Sequence, residues 1–132
     1  MKPISAKISR GLQVGSYAKC VDNSGATSVQ IISVKVYKGV KNRIPGCGVG
    51  SWIMCAVKDG DPKILHEIVH AVVVRQKKAY RRRNGMRVKF EDNAVVLINE
   101  KGEPRGTKIK GPIAKEVVER FSVIGKIATM VL

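Results

Sequence analysis

Two short motifs in this 132-residue chain have the residue types and spacing of known active sites. His66-Glu67-Ile68-Val69-His70 matches the H-E-x-x-H pattern, in which two imidazoles hold zinc and the glutamate moves a proton. That chemistry needs a helix, where residues four apart share one face at about 6 Å. Here the motif runs into Val72, Val73 and Val74, a β-branched block that favours strand. On a strand the two imidazoles stand ~13 Å apart, too far for one zinc. The chain contains no third histidine, so the expected reading is a coincidental match in a loop and strand start.

Gly46-Cys47-Gly48-Val49-Gly50 resembles a nucleotide loop but reads G-x-G-x-G, without the G-x-G-x-x-G spacing. The residues after it, Ser51–Val57, read as strand, whereas a dinucleotide site needs a helix N-terminus to hold the pyrophosphate. Cys20, Cys47 and Cys55 are odd in number and include no C-x-x-C pair, which suggests reduced thiols acting as small hydrophobes. No catalytic constellation follows from these residues. We expect no enzyme, no metal and no cofactor.

The strongest signal is charge. Eight of the fifteen residues from Arg75 to Lys89 are basic and none is acidic. The whole chain carries 25 Lys and Arg against 10 Asp and Glu, a net charge of +15. A charge run is often only a solvated face. Three features weigh against that here: the whole-chain charge, the absence of interleaved acids, and Asn84-Gly85 inside the run. Asn-Gly tolerates positive φ at both central turn positions, so it predicts a tight type I′ hairpin. The run then reads as a stiff basic β-ribbon, for which a polyanion is the natural partner and nucleic acid the commonest one. The candidate contacts are Lys38, Lys41 and Arg43 in one loop, then Arg75, Lys77, Lys78, Arg81, Arg82, Arg83, Arg87 and Lys89 in the run, and Arg105, Lys108 and Lys110 beyond it.

Aromatic residues make up 5% of the chain, and only Tyr80 lies in the basic run. Single-strand readers stack bases on several exposed rings, so phosphate and shape recognition is favoured, which suits folded RNA.

Strands must position these residues. Tyr17–Val21, Ser28–Val36, Ser51–Val57, His70–Val74, Met86–Phe90 and Ala94–Asn99 are the expected ones, after a mobile basic lead-in. In Ser28–Val36 the apolar phase starts on Val29 and Ile31 and shifts to Ile32, Val34 and Val36, which predicts a bulge. Ser51–Val57 is apolar almost throughout and reads as a strand covered on both faces. Short strands between Gly and Asn turns favour a small closed barrel. Pro112 suits a first helical position, and Ile113, Val117, Val118 and Phe121 recur at helical spacing. This stripe should pack on the barrel and leave Lys115, Glu116, Glu119 and Arg120 toward solvent or a protein partner. A second short helix is expected with Ser122 as N-cap, weakened by Gly125. The expected organisation is one domain, 1–132, with 111–132 as a helical appendage. No apolar stretch is long enough to span a bilayer, and Met-Lys-Pro-Ile-Ser lacks the core of a signal peptide, so a soluble intracellular protein without a membrane partner is expected.

The residues also carry a family resemblance. Ala71-Val72-Val73-Val74, then Asn84-Gly85, Phe90, Asn93 and Val96-Leu97-Ile98 resemble, in order and spacing, the signature of large-subunit ribosomal protein L-fourteen. Val21-Asp22-Asn23-Ser24-Gly25-Ala26 and Gly106-Thr107-Lys108-Ile109-Lys110-Gly111-Pro112-Ile113 resemble the same family, and the lead-in is most similar to archaeal and eukaryotic members. The resemblance implies a five-stranded β-barrel with a β-ribbon and short C-terminal helices. It implies a structural role on the cytoplasmic ribosome, binding large-subunit ribosomal RNA beside other large-subunit proteins. It further implies a place at the subunit interface, meeting small-subunit RNA at a bridge. The C-terminal part, with Glu116, Glu119 and Arg120, would be a protein contact, with initiation factor six among the implied partners. The alternative from charge alone is a free-standing nucleic-acid-binding barrel such as a chromatin protein.

Overall fold

The computed structural model describes residues 2–132. Eleven strands and two helices follow in order: β1 Leu12–Gln13, β2 Tyr17–Cys20, β3 Ala26–Val34, β4 Gly46–Cys47, β5 Trp52–Gly60, β6 Ile68–Arg75, β7 Tyr80–Arg81, β8 Arg87–Val88, β9 Ala94–Ile98, β10 Pro112–Ile113, α1 Lys115–Arg120, α2 Ser122–Ile127 and β11 Met130–Val131. Strands β2-β3-β5-β6-β9 close into a barrel. Its neighbours are antiparallel except β2 and β9, which run parallel and complete the circle. Closure leaves the long strands without an edge on which another chain could pair.

Alternation along the strands builds two cores. Val29, Ile31, Ile53, Cys55, Val57, Ala71, Val73, Val95 and Leu97 fill the barrel interior. The opposite faces of β5, β6 and β9 present Trp52, Val72, Val74, Val96 and Ile98 to a second cluster outside the barrel, with Tyr80, Phe90, Ile109, Ile113, Val117, Phe121 and Ile124. The strands covered on both sides are therefore β6 and β9. In β5, Met54 and Ala56 are half-buried, because the helical cap reaches only its Trp52 end. The bulge expected in β3 is present: pairing jumps from Ile31↔Cys55 to Ser33↔Met54. Ile32 is the extra residue and is exposed, and so is Val36 at φ 69°, so neither continues the buried phase.

Three other expectations change. Pro112 does not start a helix; Pro112 and Ile113 pair in parallel with Met130 and Val131, and α1 begins at Lys115. The chain returning from α2 supplies the partner that holds this stretch extended. Ser122 is the first residue of α2 and caps nothing; the junction residue is Phe121, whose ring packs edge-on to Trp52 at 6.0 Å. The ribbon strand β8 is only Arg87–Val88, with Met86 exposed in the turn and Phe90 buried under the second core. The apolar stripe of the appendage does pack as expected, with Ile113, Val117 and Phe121 buried and Val118 against them. None of the described helices is long and apolar enough to cross a membrane.

Candidate nucleic-acid interface

The ribbon is a hairpin, but of a different type from the one Asn-Gly suggests. Tyr80 pairs with Val88 and Arg81 with Arg87, and Arg82 N–H donates to Met86 O at 2.8 Å. Gly85 N–H donates back to Arg82 O at 2.9 Å, and Gly85 has φ 89° while Asn84 is not among the positive-φ residues. This is a three-residue loop, a turn of type I kind closed by a left-handed glycine. Asn84 serves through its side chain, whose Oδ1 accepts Met86 N–H at 3.0 Å.

The root of the ribbon is fixed by a buried charge pair. Glu116 is fully buried, and its carboxylate accepts from Tyr80 Oη at 2.8 Å and Arg82 Nε at 2.8 Å. Arg82 also donates to the Leu132 backbone oxygen at 2.6 Å. The expectation that Glu116 faces solvent is thus corrected, and so is that of a projecting Arg82. Both side chains join α1 to the hairpin. Burial opposes the Arg82 charge, but the bonds from Glu116 and Tyr80 outweigh it and hold its pKa above the ordinary value. Burial first, and the bond to Glu116 second, push the Tyr80 phenol up.

Arg75 is also removed from the candidate surface. It is 7% exposed, bidentate to Asp92 through Nε and Nη2 at 2.8 and 3.1 Å. Its Nη1 donates to Lys110 O and Pro112 O. The bonds from Nη1 hold the start of the appendage onto β6, and with the fork taken by Asp92 none is left for a phosphate. Arg105 is turned toward Glu67 at 3.5 Å. Lys108 and Lys110 are exposed on a loop pinned by Asn23, whose Oδ1 accepts Thr107 N–H and Lys108 N–H.

The basic lead-in is a tethered strap, not a mobile tail. Ser5 Oγ donates to Glu119, and Arg120 donates to the carbonyls of Lys2 and Gly50. Glu119 is exposed, as expected, and also ties the strap, whereas Arg120 is half-buried and holds the strap through those two carbonyls; burial lowers the Arg120 pKa. Lys7 then bridges to Arg81, Ser9 Oγ donates to Ala79 O, and β1 pairs with β4. Gln76 is the staple. It is completely buried, accepts Val49 N–H through Oε1, and donates through Nε2 to Ser9 O and Lys78 O. Gly48 packs so closely that an added Cβ would stand 2.6 Å from both Gln76 Oε1 and Ser9 O. The glycine loop is therefore a packing device under the strap.

The strap brings three basic segments together. Lys7 and Arg10 lie between the ribbon residues Arg81, Arg83 and Arg87 on one side and the loop of Lys38, Lys41 and Arg43 on the other. All of these residues are exposed, as are Lys77, Lys78 and Lys89. Lys77 and Lys89 border Glu91. The only acid between residues 1 and 58 is Asp22, which is 5% exposed and accepts from Leu97 N–H and Ser24 N–H. The face thus presents cations with no exposed carboxylate among its own segments, which is the electrostatic footprint of a phosphate-binding surface. Sequence reasoning missed Lys7, Arg10 and Gln76. The hint was Gln76, an uncharged residue inside a basic run.

The remaining motifs carry no chemistry here. His66 lies in a loop at φ 65°, and His70 on β6 accepts Trp52 Nε1–H through Nδ1 at 3.1 Å. Among the described residues no group of three or more His, Cys, Asp or Glu is placed to hold a metal ion. The three cysteines are free thiols, and burial pushes each from 9.0 to about 12, with Asp22 adding to the effect at Cys20. Native thiols then stay protonated where unfolded ones ionise, so stability is full below pH 9 and lost as pH rises toward about 12. We expect denaturation free energy to fall there by about 1.4 kcal/mol per pH unit for each of Cys47 and Cys55. The C47A/C55A double variant should show a flatter decline in denaturant titrations. A parent profile that is level through this range would contradict the assignment.

A family model described as "Ribosomal protein L14p/L23e" matches residues 11–132. Proteins named large ribosomal subunit protein uL14 are similar over all 132 residues and over their own full length. The one from Methanocorpusculum labreanum is 54% identical, that from Halobacterium salinarum 51%, and that from Methanothrix thermoacetophila 47%. With a full-length likeness of this order and a closed five-stranded barrel, the chain belongs to the ribosomal protein L14p/L23e family.

Proposed function

We propose that this chain is a structural, non-enzymatic constituent of the large ribosomal subunit in the cytoplasm. It folds as one domain over residues 1–132 and holds ribosomal RNA through the face built by the strap, the ribbon and the 38–43 loop. The observation that carries this reading is the union of those three segments, none of which contains an acid, into one cationic surface, with Glu119 at the far end of the strap as its carboxylate border. Exposed arginines on a short, anchored hairpin lose little freedom on meeting phosphates, so they suit a fixed RNA shape. Arg81, Arg83, Arg87, Lys7, Arg10, Lys38, Lys41 and Arg43 are the contacts we assign to RNA, with Lys77, Lys78 and Lys89 at the edge. Lys108 and Lys110 form a separate basic loop.

Family membership supports neighbouring ribosomal proteins and a position at the subunit interface, with small-subunit RNA as a bridge partner. The exposed apolar residues Val123, Met130 and Val131 of the appendage suit a protein contact there, and initiation factor six is the partner that the family suggests. Such a contact would use this apolar rim, because Glu116 and Arg120 are engaged within the chain. Sedimentation tests the central claim. Tagged protein should travel with large subunits and resist moderate salt. Release into the free pool at low ionic strength would overturn the ribosomal assignment.

A further inference from the structure

The Tyr37 hydroxyl is the one buried side-chain polar atom without a hydrogen-bond partner among the described residues. Buried polar groups are paired in the large majority of cases, so an orphan calls for a reason. Tyr37 sits at the wall of a cavity of about 200 Å³, with Arg10, Lys35, Ser51 and the Gly46–Gly48 turn. The Arg10 guanidinium lies 5.9 Å from the Tyr37 ring centroid, at the outer edge of cation–π range. The Lys35 ammonium rests 3.6 Å from the Trp52 ring centroid. Ser51 Oγ accepts Gly48 N–H at 3.1 Å, which leaves its own hydrogen free to donate. Four larger clefts each carry a carboxylate in the wall: Glu67, Glu91, Glu116 and again Glu91. The Tyr37 cavity has two cations and no carboxylate, and it lies where the strap meets the basic loop.

We propose that this cavity seats one backbone phosphodiester of the bound RNA, with the Tyr37 hydroxyl donating to a phosphate oxygen and Arg10 supplying the charge. The proposal rests on RNA being the polyanion of the basic face. Arg10 is exposed and free to turn from the ring to the phosphate, a stronger partner for a guanidinium than a ring edge. Ser51 Oγ–H adds a second neutral donor, and Lys35 raises the local potential without leaving Trp52.

Two variants of the full chain test this, each titrated against protein-free large-subunit ribosomal RNA over a range of salt. Tyr37→Phe removes a neutral donor, so affinity should fall about tenfold with an unchanged slope of log affinity against log salt. Its melting temperature should rise, because an unpaired buried hydroxyl is gone. Arg10→Gln should weaken binding and reduce the slope by about one counterion. Tyr37→Phe binding within about twofold of the parent would overturn the phosphate seat, and so would a lowered melting temperature, which would mean that the hydroxyl has a structural partner. If substitutions at Arg81 and Arg83 abolish binding while Tyr37→Phe does not, the RNA face stands and this seat falls. If neither set matters, both fall.

Discussion

Glu116→Ala should destabilise the protein by about 3–5 kcal/mol, the usual consequence of removing one partner from a buried ion pair. Glu116 is fully buried, so the deletion leaves the Tyr80 hydroxyl and the Arg82 guanidinium facing an empty position. Arg82 is 14% exposed by side chain and can turn toward water, which places the cost near the lower end. Tyr80→Phe should cost less, about 1.5–3 kcal/mol, the worth of a hydrogen bond to a charged group. The double variant should be less destabilised than the sum, because the two side chains share one bond. Urea unfolding of the four proteins measures this. Additivity would mean that Glu116 and Tyr80 act separately and that the ribbon is not locked through them. RNA affinity should fall with Glu116→Ala as well, since an unanchored hairpin must be ordered when it binds.

The barrel was legible because alternation is a local signal. Val72, Val74, Val96 and Ile98 point out of the barrel while Ala71, Val73, Val95 and Leu97 point in; the strand expected to be covered on both faces, Ser51–Val57, is covered outside only at its Trp52 end, and β6 and β9 take that place. The bulge in β3 was legible for the same reason, since one inserted residue between Ile31 and Val34 moves every later side chain to the opposite face. The type of the hairpin loop was not. Asn-Gly fits a two-residue turn, but pairing of Tyr80 with Val88 fixes the loop at three residues and leaves only Gly85 with positive φ. Register is a tertiary property, set here by Glu116 and the second core.

Charge was the least legible at the level of single residues. Arg75 and Arg82 look like their neighbours in a one-dimensional run. What separates them is Asp92 and Glu116, acids that lie 17 and 34 positions away. Glu116 was misread because Lys115, Glu116, Glu119 and Arg120 look like solvated helix pairs, whereas in the six-residue α1 Glu116 shares the buried face with Val117 and Lys115 and Glu119 remain exposed. The strap was hidden for a similar reason: Lys2, Lys7 and Arg10 in sequence look like a solvated tail, and the groups that tie the strap down, Gln76, Glu119 and Arg120 among them, lie far along the chain.

Replacing Arg81, Arg83 and Arg87 together by Ala should lower affinity for large-subunit ribosomal RNA by about two orders of magnitude near physiological salt. The slope of log affinity against log salt should shrink by about 2.7 if each residue neutralises one phosphate. The fold should survive, because all three are exposed and none takes part in a salt bridge among the described residues, and Arg82 keeps its bonds to Glu116. Arg82→Ala is the contrasting control from the same triplet. It should lower stability through the stranded Glu116 carboxylate while removing no phosphate contact of its own, so its salt slope should stay near that of the parent. Equilibrium binding across a salt series, paired with denaturant melts, separates the two kinds of arginine. A triple variant with the parent's slope would show that the ribbon does not meet phosphates. An Arg82→Ala protein with parental stability and a reduced slope would return Arg82 to the interface and dissolve the structural role assigned to Glu116.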